Sequence, residues 1–387
     1  MEPSSIPHSG ARPRPWLRCL YVFAVAVFLW LVAARWDARS GFTSLLRFGD
    51  DFSDSRLPAV AKLPISSVSG IGYDGQFYAQ LAVEPDPRAS ALQKALDLPR
   101  YRARRILLPW IAHGLSAGDP WWALNVYALL NVGAWLVAAW WLGRRVEPEG
   151  WRGLAVWTVC LFGVGALDSV RFALTDLPAM LAILIAVDLS LRSRKTAAAV
   201  LLGAGGMVRE TAVLAAPFLL RPWPRNRNSW LASAARGLIA FLPLALWVGW
   251  LAWKMPTDSS VGVEGNFDWP GFALGRHLFT CFNALFSGDI DSRYTFGAAA
   301  ALGLAYQSCF VLARLKQDSV WISVAAPFAV LFWLLGDSVW HGYWAAERAL
   351  LPLTFAFNLL LLREPRFWWR LIVANACLIH GIYRFLP

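Results

Sequence analysis

The sequence runs to 387 residues, 57% of them hydrophobic and 16% charged, with 23 tryptophans, a formal net charge of +11 and a mean hydropathy of +0.46. Such a composition excludes an ordinary pair of soluble domains and predicts an all-α, polytopic transmembrane chain. In a chain of that kind a positive excess is what basic cytoplasmic loops supply, so nucleic acid is not an expected partner and phosphate-bearing membrane lipid is.

Residues 1–16, rich in Pro, Ser and Arg, read as a disordered cytoplasmic N-terminus. Residues 17–387 then read as a single integral membrane domain. Leu17 to Ala34 is the first apolar run; preceding basic residues also fit a cleaved signal peptide, and the many later runs favour a retained signal-anchor. Residues 36–120 form a long first extracytoplasmic loop with amphipathic interfacial helices. Within it, Ile106 to Gly118 reads as an interfacial helix or a short crossing; a crossing would put Arg144, Arg145 and the Arg192 to Lys195 cluster outside, which favours the interface. Five cysteines lie apart, without C-x-x-C or zinc-ligand spacing, and carry no redox or metal role.

Further apolar runs follow at Trp121 to Gly143, Gly153 to Leu167, Phe172 to Leu191, Ala197 to Leu220, Leu231 to Trp253, Phe296 to Ala313, Val320 to Leu335, Leu350 to Leu362 and Trp368 to Tyr383. The run from Ala197 is interrupted by GAGGMVRET, and reading it as two half-helices turning at Arg209-Glu210 keeps the basic loop RPWPRNRN inside. Twelve helical residues reach only about 18 Å, so that turn would sit below the outer surface, where non-helical backbone needs protein or a wet cavity around it. Counting the hairpin as two gives about eleven membrane segments. The expected setting is a bacterial cytoplasmic (inner) membrane, with the N-terminus cytoplasmic and an extracytoplasmic site.

The same topology delivers Tyr73, Asp74, Tyr78, Asp168, Arg171, Asp176, Arg209, Glu210, Glu347 and Arg348 to the outer face. Each has a plain alternative. Asp74, just before FYAQLA, reads equally as a helix cap; Asp168 and Arg171 as a loop ion pair; Asp176 as a first-turn acid. Arg209-Glu210 fits a structural pair between half-helices, and Arg348 a snorkelling arginine at a water boundary. Ionisable groups at such depth are costly, so several of them together point to function.

YDGQFY, VRFALTDLPAM, LLGAGGMVRETAVLAAP, ERALLPL and RYRARRILLP together resemble an uncharacterised bacterial branch of the GT-C glycosyltransferase superfamily, polytopic enzymes that use polyprenyl-phosphate sugars. The resemblance implies a glycosyltransferase moving a sugar to a cell-envelope lipid or glycan acceptor with inversion. It implies Asp74 as base or organiser of acceptor and metal, and Asp176 as its catalytic partner. Arg209 and Arg348, with Arg171 in reserve, would grip the donor phosphate, since guanidinium makes two parallel bonds to it. Tyr73, Tyr78, Asp168, Glu210 and Glu347 would support them, and Asp74 with Asp176 would hold a divalent cation, Mg or Mn, if one is used. No large C-terminal outer domain is expected, which favours a lipid or glycan acceptor over a protein. A transporter or flippase of a lipid-linked sugar, or a non-catalytic envelope assembly protein, fits the same broken helices and embedded charge.

Overall fold

The structure, a computed structural model, describes residues 15–224, 226–257 and 265–386. The expectation for residues 1–16 lies almost wholly outside the described residues. Helices dominate, and the only sheet among the described residues is a parallel pair of two-residue strands, Phe48–Gly49 and Ser67–Val68.

The eleven-segment, multi-pass inner-membrane architecture expected above does not appear. Among the described residues four helices are long and apolar enough to cross a membrane, Trp16–Ala33, Pro120–Glu149, Arg227–Lys254 and Ser292–Leu312; a fifth results if Trp151–Phe162 and Val164–Arg171, bent by 43°, count as one. The other runs make shorter helices. Asp176–Leu191, Val320–Leu334 and Leu351–Leu361 hold 16, 15 and 11 residues, so the longest rises about 24 Å against a hydrocarbon layer of about 30 Å. Trp368 to Tyr383 is cut in two at Asn375, whose amide exchanges hydrogen bonds with the amide of buried Asn358 at 3.0 and 3.1 Å.

The long early segment is built into the body of the protein. Helices Gly75–Val83 and Leu107–Leu115 pack on each other and on the long helix Pro120–Val146. Gln76 and Gln80, one turn apart and fully buried, do the fastening. Gln76 accepts from the Gly49 amide at 3.0 Å and donates to the Ile71 carbonyl at 2.8 Å; Gln80 accepts from Leu57 at 2.8 Å and donates to Ala95 at 3.2 Å. A buried amide must be satisfied, and these two are satisfied by the irregular backbone they hold in place.

Large indoles fill the middle. Trp135 stacks on Phe28 with centroids 3.7 Å apart and donates to the Leu161 carbonyl at 2.9 Å; Trp157 donates to Ala139 at 2.9 Å. Helix Val164–Arg171 packs against Tyr343–Ala349 and Leu378–Phe385, bringing residues from both halves of the chain to one end. Helix Lys195–Val208 ends at Arg209, which is extended, and an eleven-residue 3-10 helix, Glu210–Leu220, packs back on it.

Candidate functional site

The GIGYDGQ stretch owes its course to its glycines. Gly70 and Gly72 have φ of +85° and +67°, a left-handed backbone that glycine adopts without penalty. A Cβ on Gly75 would stand 2.2 Å from the Phe172 carbonyl oxygen, so only glycine lets this turn lie against residue 172. The Tyr73 amide donates to the carbonyl of Arg47 at 3.0 Å, and Arg47 is itself left-handed at φ +54°. A non-glycine residue there is uncommon and needs surrounding contacts to hold it.

Asp74 occupies the N-cap position of helix Gly75–Val83, yet its carboxylate makes no capping bond. Arg102 takes it instead, with both terminal nitrogens 3.0 Å from its oxygens. Arg102 also forks onto Asp97 at 2.8 and 2.6 Å and lies 3.4 Å from the Tyr78 hydroxyl. Arg105 donates to that hydroxyl at 2.7 Å and binds Glu210 through two bonds of 2.8 and 2.7 Å. On the other side, Arg209 stands 2.6 Å from one oxygen of Asp176 and Arg348 stands 3.6 Å from the other, while Arg348 donates to the Tyr73 hydroxyl at 2.9 Å.

These contacts close on themselves. From Asp74 the path runs through Arg102, Tyr78 and Arg105 to Glu210. Its chain neighbour Arg209 continues through Asp176 and Arg348 to Tyr73, the residue before Asp74. Seven of the predicted site residues, Tyr73, Asp74, Tyr78, Asp176, Arg209, Glu210 and Arg348, therefore belong to one circuit. Arg209 and Glu210 do not pair with each other. Asp176 is the least satisfied member: it is 3% exposed, and despite the short Arg209 contact the guanidinium N–H bonds do not aim at its oxygens, which lack a hydrogen-bond donor.

Burial pushes the Asp74 carboxyl up, but Arg102 above all, with Arg348 and Arg105, more than offsets it and holds the group below the usual carboxylate range. Asp74 is ionised at neutral pH. Burial also pushes Glu210 up, and Arg105 overrides it to hold the group at about 2.

Asp168 and Arg171 lie beside the circuit and do not form the loop pair that their spacing allows. Asp168 accepts from Arg384 at 3.0 Å. Phe172 stacks on Tyr73 at 4.2 Å, and the guanidinium groups of Arg47 and Arg171 stand 5.8 and 5.2 Å from its ring. Arg35, Arg47 and Arg384 all act electrostatically on Arg171, against the opposite charge of Asp168. The Nε atoms of Arg35, Arg171 and Arg384 are buried and without an acceptor among the described residues.

Glu347 takes no part in the circuit. It lines a cavity of about 20 Å³ with Thr354, Asn375 and Cys377, and burial, aided by Asp168, pushes its carboxyl up from 4.5 to about 8. A raised carboxyl contributes stability that is fully present below about 4.5 and is lost as pH rises through about 8. Thermal unfolding of wild type and Glu347→Gln should therefore diverge across that window, the wild type losing stability as pH rises and the variant holding it. Parallel curves would refute the buried acid.

Asp74 and Asp176 were the carboxylates named for a divalent cation. Each already faces guanidinium groups, and among the described residues no group of three or more His, Cys, Asp or Glu side chains could hold a metal ion.

Arg102, Arg105 and Asp97 were not among the sequence candidates, although Arg102 and Arg105 stand in the RYRARRILLP stretch. Nothing local marks Arg35, Arg47 or Arg384, because their neighbours come from distant parts of the chain. Compared with protein-family models, with curated proteins and with solved structures, the chain matches none. The GT-C resemblance is thus corrected on two grounds, the lack of any such match and a fold with four or at most five apolar spans in place of about eleven.

Proposed function

We propose that this chain transfers a sugar from a polyprenyl-phosphate donor to a hydroxyl group of a lipid or glycan acceptor. The observation that carries the reading is the cluster of cations beside Phe172: Arg47 and Arg171 stand at its ring, Arg35 and Arg384 add their charge to that of Arg171, and the buried Nε atoms of Arg35, Arg171 and Arg384 have no acceptor among the described residues. A phosphate supplies both the missing charge and the missing acceptor oxygens, and guanidinium meets it with two parallel bonds. Arg209 and Arg348, the first choices for that task from sequence, are engaged by Asp176. The donor phosphate therefore falls to Arg171, Arg47 and their neighbours.

Asp74 is one residue from Tyr73, whose ring stacks on Phe172, and its ionised carboxylate is held by Arg102. In the transfer, the acceptor oxygen bonds to the anomeric carbon as the bond from that carbon to the phosphate oxygen breaks. The electron pair leaves with the phosphate, where the arginines stabilise it, and the acceptor proton passes to Asp74. One displacement of this kind inverts the anomeric centre.

The test uses the purified full chain with short-chain polyprenyl phosphates carrying radiolabelled mannose, glucose or arabinose, and an octyl glycoside as acceptor. Labelled octyl diglycoside from at least one donor is the expected product, suppressed by free polyprenyl phosphate. No product from any donor overturns the reading, and passage of intact donor across vesicles without sugar release favours transport.

A further inference from the structure

A separate groove lies between the loop at Asp86, helix Leu107–Leu115 and the last turns of helix Arg227–Lys254. Its volume is about 520 Å³, within the usual range of small-molecule sites. Three indoles make its walls. Trp247 and Trp250 lie nearly parallel, with centroids 4.9 Å apart and planes 12° from each other, and Trp110 meets Trp247 edge-on at 5.1 Å. Two of these rings are fixed through their N–H groups: Trp247 donates to the Ala103 carbonyl at 2.8 Å and Trp110 is 3.4 Å from that of Pro85.

The polar side of the groove is as ordered as the apolar side. Asp86 and Arg88 form a fork, with Nε to Oδ1 and Nη2 to Oδ2 both at 2.9 Å, and the Arg88 guanidinium stands 5.8 Å from the Trp250 ring. His113, also on the lining, turns Nδ1 to the Ala82 carbonyl at 3.0 Å. Flat aromatic rings, a carboxylate and a guanidinium side by side thus share one open space.

We propose that this groove binds a pyranose ring of a glycan. A pyranose has a face of C–H groups, which rests on an indole plane, and a rim of hydroxyls. Neighbouring hydroxyls on that rim can each donate to the Asp86 carboxylate and accept from Arg88. An acyl chain would use the indoles and leave the ion pair idle. The site goes beyond the transfer reading and depends on none of its chemistry. Its place beside the circuit is set by Trp247, whose bond to Ala103 anchors the short helix Pro99–Ala103 that carries Arg102. If the transfer reading holds, the groove serves the acceptor.

Binding is measured without turnover, on the full chain in lauryldimethylamine oxide, a detergent with no sugar headgroup. The probes are methyl β-D-glucopyranoside, methyl α-D-mannopyranoside and N-acetyl-D-glucosamine, read by tryptophan fluorescence and by magnetisation transfer to the sugar protons. At least one probe should bind saturably, with transfer strongest at its ring C–H protons. Trp250→Ala should weaken that binding tenfold or more, Trp250→Phe less, and Asp86→Asn, on the exposed side, about tenfold. The proposal is overturned by no saturable binding of any probe to monodisperse protein, by undiminished binding in both Trp250→Ala and Asp86→Asn, or by a fluorescence response to phosphatidylglycerol vesicles and to no sugar. Because no donor is present, failure here leaves the transfer assay to be judged on its own result.

Discussion

Asp74→Asn should lower the rate of sugar transfer by about 10²- to 10⁴-fold, the range over which a positioned base contributes, while the protein stays folded. The two effects separate because of how Arg102 is held. It keeps a forked pair with Asp97 at 2.8 and 2.6 Å when the Asp74 charge is removed, so no guanidinium is left stranded. Asp74 is also the more open partner, its side chain 36% exposed against 8% for Arg102, and an asparagine of the same shape still offers an oxygen to Arg102. The experiment compares single-turnover rates and melting temperatures of the two proteins on the same donor. Transfer at the wild-type rate by the variant would remove Asp74 from the chemistry. Loss of activity together with collapse of the fold would make its role structural.

Asp176→Ala should act in the opposite sense, through stability. The Asp176 side chain is 1% exposed and faces Arg209 and Arg348, whose side chains are 15% and 9% exposed. Removing the carboxylate leaves two largely buried cations without their counter-ion, which costs about 3–5 kcal/mol when one side of a buried pair is deleted. Denaturant midpoints should fall accordingly. A second change, Arg209→Met, made on that background should recover part of the loss, because it removes one of the stranded charges; the interaction energy of the double-mutant cycle measures how much. Wild-type stability in Asp176→Ala would mean that the buried carboxylate adds nothing net to the fold.

Much of the charged site was legible because charge and glycine stand out in an apolar chain. Asp74 sits among Gly70, Gly72 and Gly75, and Arg209-Glu210 interrupts an apolar run; both signals are local. Their partners were not legible. The paired carboxylate and guanidinium of Asp74–Arg102 are 28 residues apart, those of Arg105–Glu210 are 105 apart, and those of Asp168–Arg384 are 216 apart. Charge alone cannot choose among 36 basic residues. The fold was misread for a different reason. Leu351–Leu361 is apolar but for Thr354 and Asn358 because neighbouring helices cover it, and nearly all its residues are buried. A helix enclosed by protein and a helix enclosed by lipid present the same hydropathy, and only length distinguishes them. The boundaries were the missing information: Asn375, a polar residue inside an apolar run, ends a helix by binding Asn358.

The closed path from Asp74 round to Tyr73 draws on four stretches of the chain, near residues 74, 102, 176 to 210 and 348, and no fragment holding fewer than all of them can display it. Short-range helices can form early, but each long loop must close before its charges meet, and every closure carries an entropic cost that only the completed set of contacts offsets. The circuit therefore requires all of those closures, and its integrity reports on the whole chain at once.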